Sequence, residues 1–208
     1  MNSDVPPESF PTSAFEDFLA GKPAAAPLQG EASIIVPPAP EDRATLERIV
    51  ANIHAELTHQ LRSEATTVLP AGMIVRAQGN VGEFSYQPDV IVDADLPPPG
   101  AQAARNPLVI FEVAAVGSER AGFIESWQIH RALPTLGVHV LVDAAQMAVT
   151  LQRRVGSGWI TETFEDPGDQ LFLPTIHCLL SLEAIYAEGG SDDGDDQTLS
   201  SEPKITLS

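Results

Sequence analysis

An α/β fold, a mixed β-sheet flanked by helices, is what this sequence predicts, on three observations. Segments rich in Val, Ile and Phe follow one another in the order strand, strand, helix, strand, strand. One of them, PLVIFEVAAV at 107–116, is almost continuously apolar, the profile of a central strand buried on both faces. The chain has 208 residues, of which 43% are hydrophobic and 19% charged, enough for one sizeable core and too apolar for wholesale disorder.

Taken in order, the chain begins with a segment that has little to pack. Residues 1–11 contain Pro6, Pro7 and Pro11 and few apolar anchors. Thr12 or Ser13 can cap a short helix through Leu19, which Gly21 and Pro23 stop. A proline-rich connector, PPAPED, leads into the clearest helix, about 41–62. Its stripe of Leu46, Ile49, Val50, Ile53, Leu57 and Leu61 has the spacing of one buried face. Glu41 and Asp42 at its start and Arg62 at its end suit the helix dipole. Strand signals follow at 73–78 (MIVRAQ), 86–93 (YQPDVIVD) and 107–116. A second helix is expected over 118–133, ended by Pro134. VHVLVD (138–143), MAVTLQRR (147–154) and WITETFE (159–165) read as further strands, with GSG at 156–158 as a hairpin turn. LEAIYA at 182–187 is a closing helical turn. The end, EGGSDDGDDQTLSSEPKITLS, is too acidic and too rich in Gly and Ser to offset its chain entropy by burial. The expected organisation is therefore a disordered N-terminus over 1–11, a folded domain over 12–187 and an acidic disordered tail over 188–208.

The charge narrows the function classes. The formal net charge is −18 and the pI about 4.4. Residues 41–187 carry eighteen acids and nine arginines, and both lysines, Lys22 and Lys204, fall outside that segment. The arginines are scattered, with Arg43, Arg48 and Arg62 along the long helix and Arg153 and Arg154 ending a strand. No basic groove for tracking phosphates is evident. The single cysteine, Cys178, excludes an internal disulfide and a four-cysteine zinc cage. No stretch approaches the ~20 apolar residues of a membrane span, and the N-terminal residues lack the basic start and apolar run of a signal peptide. These readings predict a soluble, cytoplasmic protein without a membrane partner. Asp192, Asp193, Asp195 and Asp196 lack the spacing and terminal Glu of an EF-hand.

Two carboxylates stand apart from the surface acids. Asp89 follows Pro88 at the entry to a strand, and Glu112 sits inside the most apolar strand of the chain. An ionised carboxylate there is costly unless it is paired, hydrogen-bonded or bound to a metal. Two acids on neighbouring strands commonly hold a hard divalent cation such as Mg²⁺; the bland alternative is a carboxylate that caps an arginine or lies at a sheet end.

The ordered string YQPDVIVD, PLVIFEVAAVGSER, HRALPTLGVHVLVDAAQMAVTLQRR resembles the core of the Uma-type family of restriction endonucleases, within the PD-(D/E)XK nuclease superfamily. Upstream, TSAFEDFLAG and LQGEASIIVPPAP resemble the family's opening helix and hairpin. Downstream, LFLPTIHCLLSLEAIYA resembles its closing segment, so the likeness covers about residues 12–187. It implies a restriction-endonuclease-like core and metal-assisted phosphodiester hydrolysis of DNA, with Asp89 and Glu112 as the Mg²⁺ ligands. It also implies a homodimer.

The rest of the implied site is altered. The family's helix aspartate, lysine and tyrosine fall on Gly122, Ser126 and His130, which share one helix face. The family's early glutamate falls on Ala26, and the histidine usual near the long helix's start is replaced in EDR. Arg120 is near in sequence but cannot accept a proton, whereas His130 can act as a base. His54 and His59 lie off the apolar stripe and are expected to face solvent; His139 and His177 are too sparse for a zinc set. Two readings follow from the resemblance. One is a catalytically impaired member, a pseudo-enzyme serving as an interaction or regulatory module, with at most weak Mg²⁺ binding. The alternative is an active Mg²⁺-dependent DNA endonuclease with a rearranged site that recruits His130 or Arg120. A scaffold whose acidic surface attracts a basic protein partner is a third, blander option.

Overall fold

The computed structural model describes residues 32–34, 43–61, 66–79, 82–115, 118 and 132–188. The elements, in order, are β1 (Ala32–Ile34), α1 (Arg43–Gln60), β2 (Thr67–Val68), β3 (Val75–Gly79), β4 (Gly82–Tyr86), β5 (Val90–Asp93) and β6 (Pro107–Ala114). They continue with β7 (Val138–Asp143), β8 (Val149–Val155), β9 (Gly158–Phe164), β10 (Gln170–Leu173), β11 (Cys178–Ser181) and α2 (Leu182–Tyr186). The short helix expected over 12–19, most of the helix expected over 118–133 and nearly all of both chain ends lie outside the described residues.

A six-stranded sheet runs in the order β2-β5-β6-β7-β8-β9. Only β6 and β7 pair in parallel, from Val109↔Val138 to Ala114↔Asp143; the other neighbours are antiparallel, which makes the sheet mixed. A parallel step needs a crossover connection, whereas the antiparallel steps need only turns. β6 and β7 are buried along almost their whole length, as the continuous apolar run of 107–116 predicts. β1, β4 and β3 form a second, three-stranded sheet, and β10 and β11 a hairpin.

α1 lays its stripe on one face of the large sheet. Leu46, Ile49, Ile53, Leu57 and Leu61 pack in one cluster with Val90 and Val92 of β5, Val109, Phe111 and Val113 of β6, and Leu171, Leu173 and Leu180 of the β10–β11 hairpin. Each such buried side chain contributes roughly 1.5–3 kcal/mol relative to exposure, so this face anchors the helix. Because strand side chains alternate, Ile91 and Ile110 turn to the opposite face, where they meet Leu69, Met73, Val75, Tyr86 and Leu136.

Two local features depart from the sequence expectations. Tyr86 belongs to β4, not to the strand that carries Asp89; Gln87 and Pro88 separate the two, and Pro88 has no N–H to give a ladder. The β10–β11 hairpin was not foreseen. Its strands have four residues each, alternate inward and outward, and turn through His177, which takes φ 53°. Gln60 of α1 serves this hairpin as a surrogate strand: Nε2 donates to Leu179 O (2.8 Å) and Oε1 accepts from Leu179 N (3.0 Å).

Candidate active site

The site begins where β5 meets β6. Val90 pairs with Phe111, so Asp89 and Glu112 are the next residues outward on the two strands. Asp89 is anchored to β6 by two bonds. Its N–H donates to Phe111 O (3.2 Å), and its Oδ2 accepts from Val113 N–H (2.7 Å). The carboxylate therefore extends the ladder past the point where β5 begins.

Glu112 is in a different environment. It is 2% exposed, inside a strand paired on both sides, and alternation from Ile110 directs it to the face that holds Tyr86. Burial pushes the Tyr86 phenol well above its usual range, and the negative charge of Glu112 pushes it further the same way. Tyr86 is a residue that sequence reasoning missed. Its signal was present, an aromatic three residues before Asp89, but its place in a separate strand hid it.

Three other buried or strand-end acids prove structural. Asp93 accepts N–H bonds from Asp95, Arg105 and Asn106, at 2.8–3.1 Å, and so ties down the loop before β6. Asp143 Oδ1 accepts from Ala145 N (2.9 Å) in the turn after β7. Asp169 Oδ2 accepts from Glu165 N and Asp166 N, both at 3.1 Å. Such bonds satisfy main-chain donors that the turns leave open.

A cleft of about 610 Å³ opens between α1 and the Asp89 end of the sheet. Arg43, Glu47 and His54 line its helical wall; Gln87, Asp89 and Val113 line the other. Positions 43, 47 and 54 fall within about 40° of one another around the helix, which places them on one face. His54 is thus a wall of this cleft and half-buried, not the solvent-facing residue its offset from the apolar stripe suggested; its ring Nδ1 lies 3.4 Å from Thr58 Oγ1. His59 is exposed, as expected, and His139 is buried within β7.

Gly122, Ser126 and His130, the remaining positions of the implied site, lie outside the described residues. Among the described residues no three His, Cys, Asp or Glu side chains cluster to hold a metal. The donors at hand are the two carboxylates, hard oxygen ligands of the kind Mg²⁺ takes while keeping several waters. Among the described residues no helix is long and apolar enough to cross a membrane.

A search of curated proteins finds no match. The family model of Uma2, whose description reads "Putative restriction endonuclease", matches residues 14–184. That span takes in the carboxylate pair, α1 and the whole six-stranded sheet, and it makes this chain a member of the Uma2 family with a restriction-endonuclease-like α/β core.

Proposed function

We propose that this protein is a Uma2 member that no longer cleaves DNA and acts as an interaction or regulatory module. The observation that carries this reading is the absence of lysine from residues 23–203. Phosphodiester hydrolysis builds negative charge on the reacting phosphate, and the superfamily's lysine offsets it next to the attacking water. Here the matching position holds Ser126, and the acid one helical turn before it is Gly122. Arginine is fixed as a cation, so it can offset charge but cannot serve as a base for the attacking water.

Asp89 and Glu112 are the residues that would hold Mg²⁺. When bound, the ion supplies a polarised water and compensation for phosphate charge. Asp89 contributes an oxygen at the cleft, held by Val113 N–H. Glu112 contributes a carboxylate that is only 2% exposed, so a hydrated cation would have to reach it inside the sheet. We therefore expect weak Mg²⁺ binding. The acidic surface, at net −18, favours a basic protein partner over free DNA.

One observation favours the rearranged, active enzyme as a second reading: His54 lines the same cleft as Asp89, and a histidine can serve as a general base. A plasmid-cleavage assay with Mg²⁺ and with Mn²⁺ tests both. No nicking or linearisation by the wild type is expected. Metal-dependent cleavage that disappears in Asp89→Ala would overturn the proposal, and its further loss in His54→Ala would assign the base.

A further inference from the structure

The loop between β5 and β6 carries DLPPPG at 95–100, a segment that neither the core clusters nor the cleft includes. Proline fixes φ at about −65° and bars the residue before it from the helical region. Leu96, Pro97 and Pro98 each precede a proline, so all three are held in the extended polyproline II conformation. The run ends in a type II turn. Pro98 O accepts from Ala101 N (3.0 Å), Pro99 and Gly100 are the central residues, and Gly100 takes φ 81°.

Both ends of the run are tied down. Before it, Asp93 accepts from the N–H groups of Asp95 (2.9 Å), Arg105 (2.8 Å) and Asn106 (3.0 Å), and Ala94 N donates to Asn106 O (3.1 Å). After it, Ile74 N donates to Gln102 O (2.9 Å) and Ala104 N to Ile74 O (2.8 Å), while Ala101 and Ala104 pack on the second core cluster. A segment fixed in this way loses little further entropy when it is bound.

The anchored segment presents apolar surface. Leu96 is 77% exposed, more than any other large hydrophobic side chain among the described residues. Pro98, Pro99 and Gly100 are exposed as well, whereas Pro97 is half-buried. Polyproline II has about three residues per turn. Leu96 and Pro99 therefore share one edge, Pro98 forms a second, and Pro97 turns toward the body of the protein. Beside them, Leu96 O and Pro97 O accept no hydrogen bond among the described residues. Such a ridge suits a groove of aromatic side chains, whose ring faces pack on the prolines while indole or phenol groups donate to the carbonyls.

We propose that residues 96–99 are the docking ridge for a partner protein with an aromatic-lined groove, closed at one end by an apolar pocket for Leu96. Asp95 at the head of the ridge, in a chain of net charge −18, selects a groove with a basic rim. The ridge shares no residue with the cleft, so the inference stands whether or not the chain cleaves DNA.

Isolated, isotope-labelled SH3, WW and EVH1 domains, which read polyproline II ligands through such grooves, serve as probes of the full-length chain. In nuclear magnetic resonance titrations to about 1 mM, at least one should show saturable shifts of its groove Trp or Tyr resonances. Leu96→Ala should weaken that binding roughly five-fold or more, with an unchanged melting temperature, because so exposed a side chain adds little to the core. Phe172→Ala, at an apolar residue 54% exposed elsewhere on the surface, should bind like wild type. No saturable binding by any of the three domains would overturn the proposal. So would binding that Leu96→Ala leaves intact, or that both variants weaken equally, because the contact would then lie away from the ridge.

Discussion

Glu112 and Asp89 show how one residue type serves two ends of a strand pair. Asp89 spends an oxygen on Val113 N–H, whereas Glu112 is shut inside the sheet beside a buried phenol. Replacing Glu112 with Gln keeps the shape but exchanges a charged acceptor for a neutral one inside a strand paired on both sides. In the absence of metal the melting temperature of Glu112→Gln should therefore fall below that of wild type by thermal denaturation. An equal or higher melting temperature would show that the cost of burying the charge outweighs the interactions it makes. The tyrosines offer a second test. Burial raises both, Tyr186 to about 12 and Tyr86 well above 10. Their folded-state pKa values exceed the unfolded value, so the stability they contribute is complete below pH 10 and is lost as pH rises above 10, for Tyr186 through about 12. Urea midpoints should fall across that window, and absorbance at 295 nm should report phenolate forming late and steeply, with unfolding.

At the scale of elements, α1 is both the cover of the sheet and the cap of the last helix. α2 has five residues and cannot satisfy its own final carbonyls. Arg48 Nη1 donates to Tyr186 O (2.9 Å) and Ala187 O (2.8 Å), and Asn52 Nδ2 to Ile185 O (3.1 Å) and Ala187 O (2.9 Å). Asn52→Ala should cost about 1–2 kcal/mol in urea unfolding, by removing bonds to carbonyls that are partly shielded from water. The entry to β7 is tighter. Gly137 donates to Leu108 O and accepts from Arg154 N, and a methyl group there would collide with the Thr175 side chain. Gly137→Ala should destabilise by about 1–3 kcal/mol. Thr175→Ala in the same chain should recover most of the loss, a coupling that a double-mutant cycle measures.

Over the whole molecule the dominant long-range term is self-repulsion. A net charge of −18 on 208 residues opposes compaction, and mobile ions reduce that opposition. Thermal stability should therefore increase with NaCl between about 0.02 and 0.5 M, in contrast to a protein held by surface ion pairs. Two surface ion pairs, Arg48–Glu188 and Arg153–Glu162, lie at 3.4 Å between partly or largely exposed side chains and contribute little by comparison. A melting temperature that falls with salt would indicate that local pairs outweigh the net charge.

Hydrophobic period alone determined the α/β class, the buried faces of α1, β6 and β7, and the candidacy of Asp89 and Glu112, because burial imposes its pattern directly on sequence. β7, expected over 138–143, has those bounds in the structure, and the five residues of the α1 stripe that line the core are Leu46, Ile49, Ile53, Leu57 and Leu61. Tertiary structure decided what depends on non-local partners. The four-residue strands β10 and β11 exist because Gln60 and the α1 stripe complete them, and no local signal specifies that support. Sequence alone marks neither Tyr86 nor His54, since period cannot say that a strand from another sheet sets a phenol near Glu112 or that a helix face overlooks Asp89. The structural acids Asp93 and Asp143 are likewise indistinguishable by type from the candidate pair; the folded loops bring their own N–H groups to these two, whereas Asp89 binds Val113 N–H across the ladder and lines the cleft.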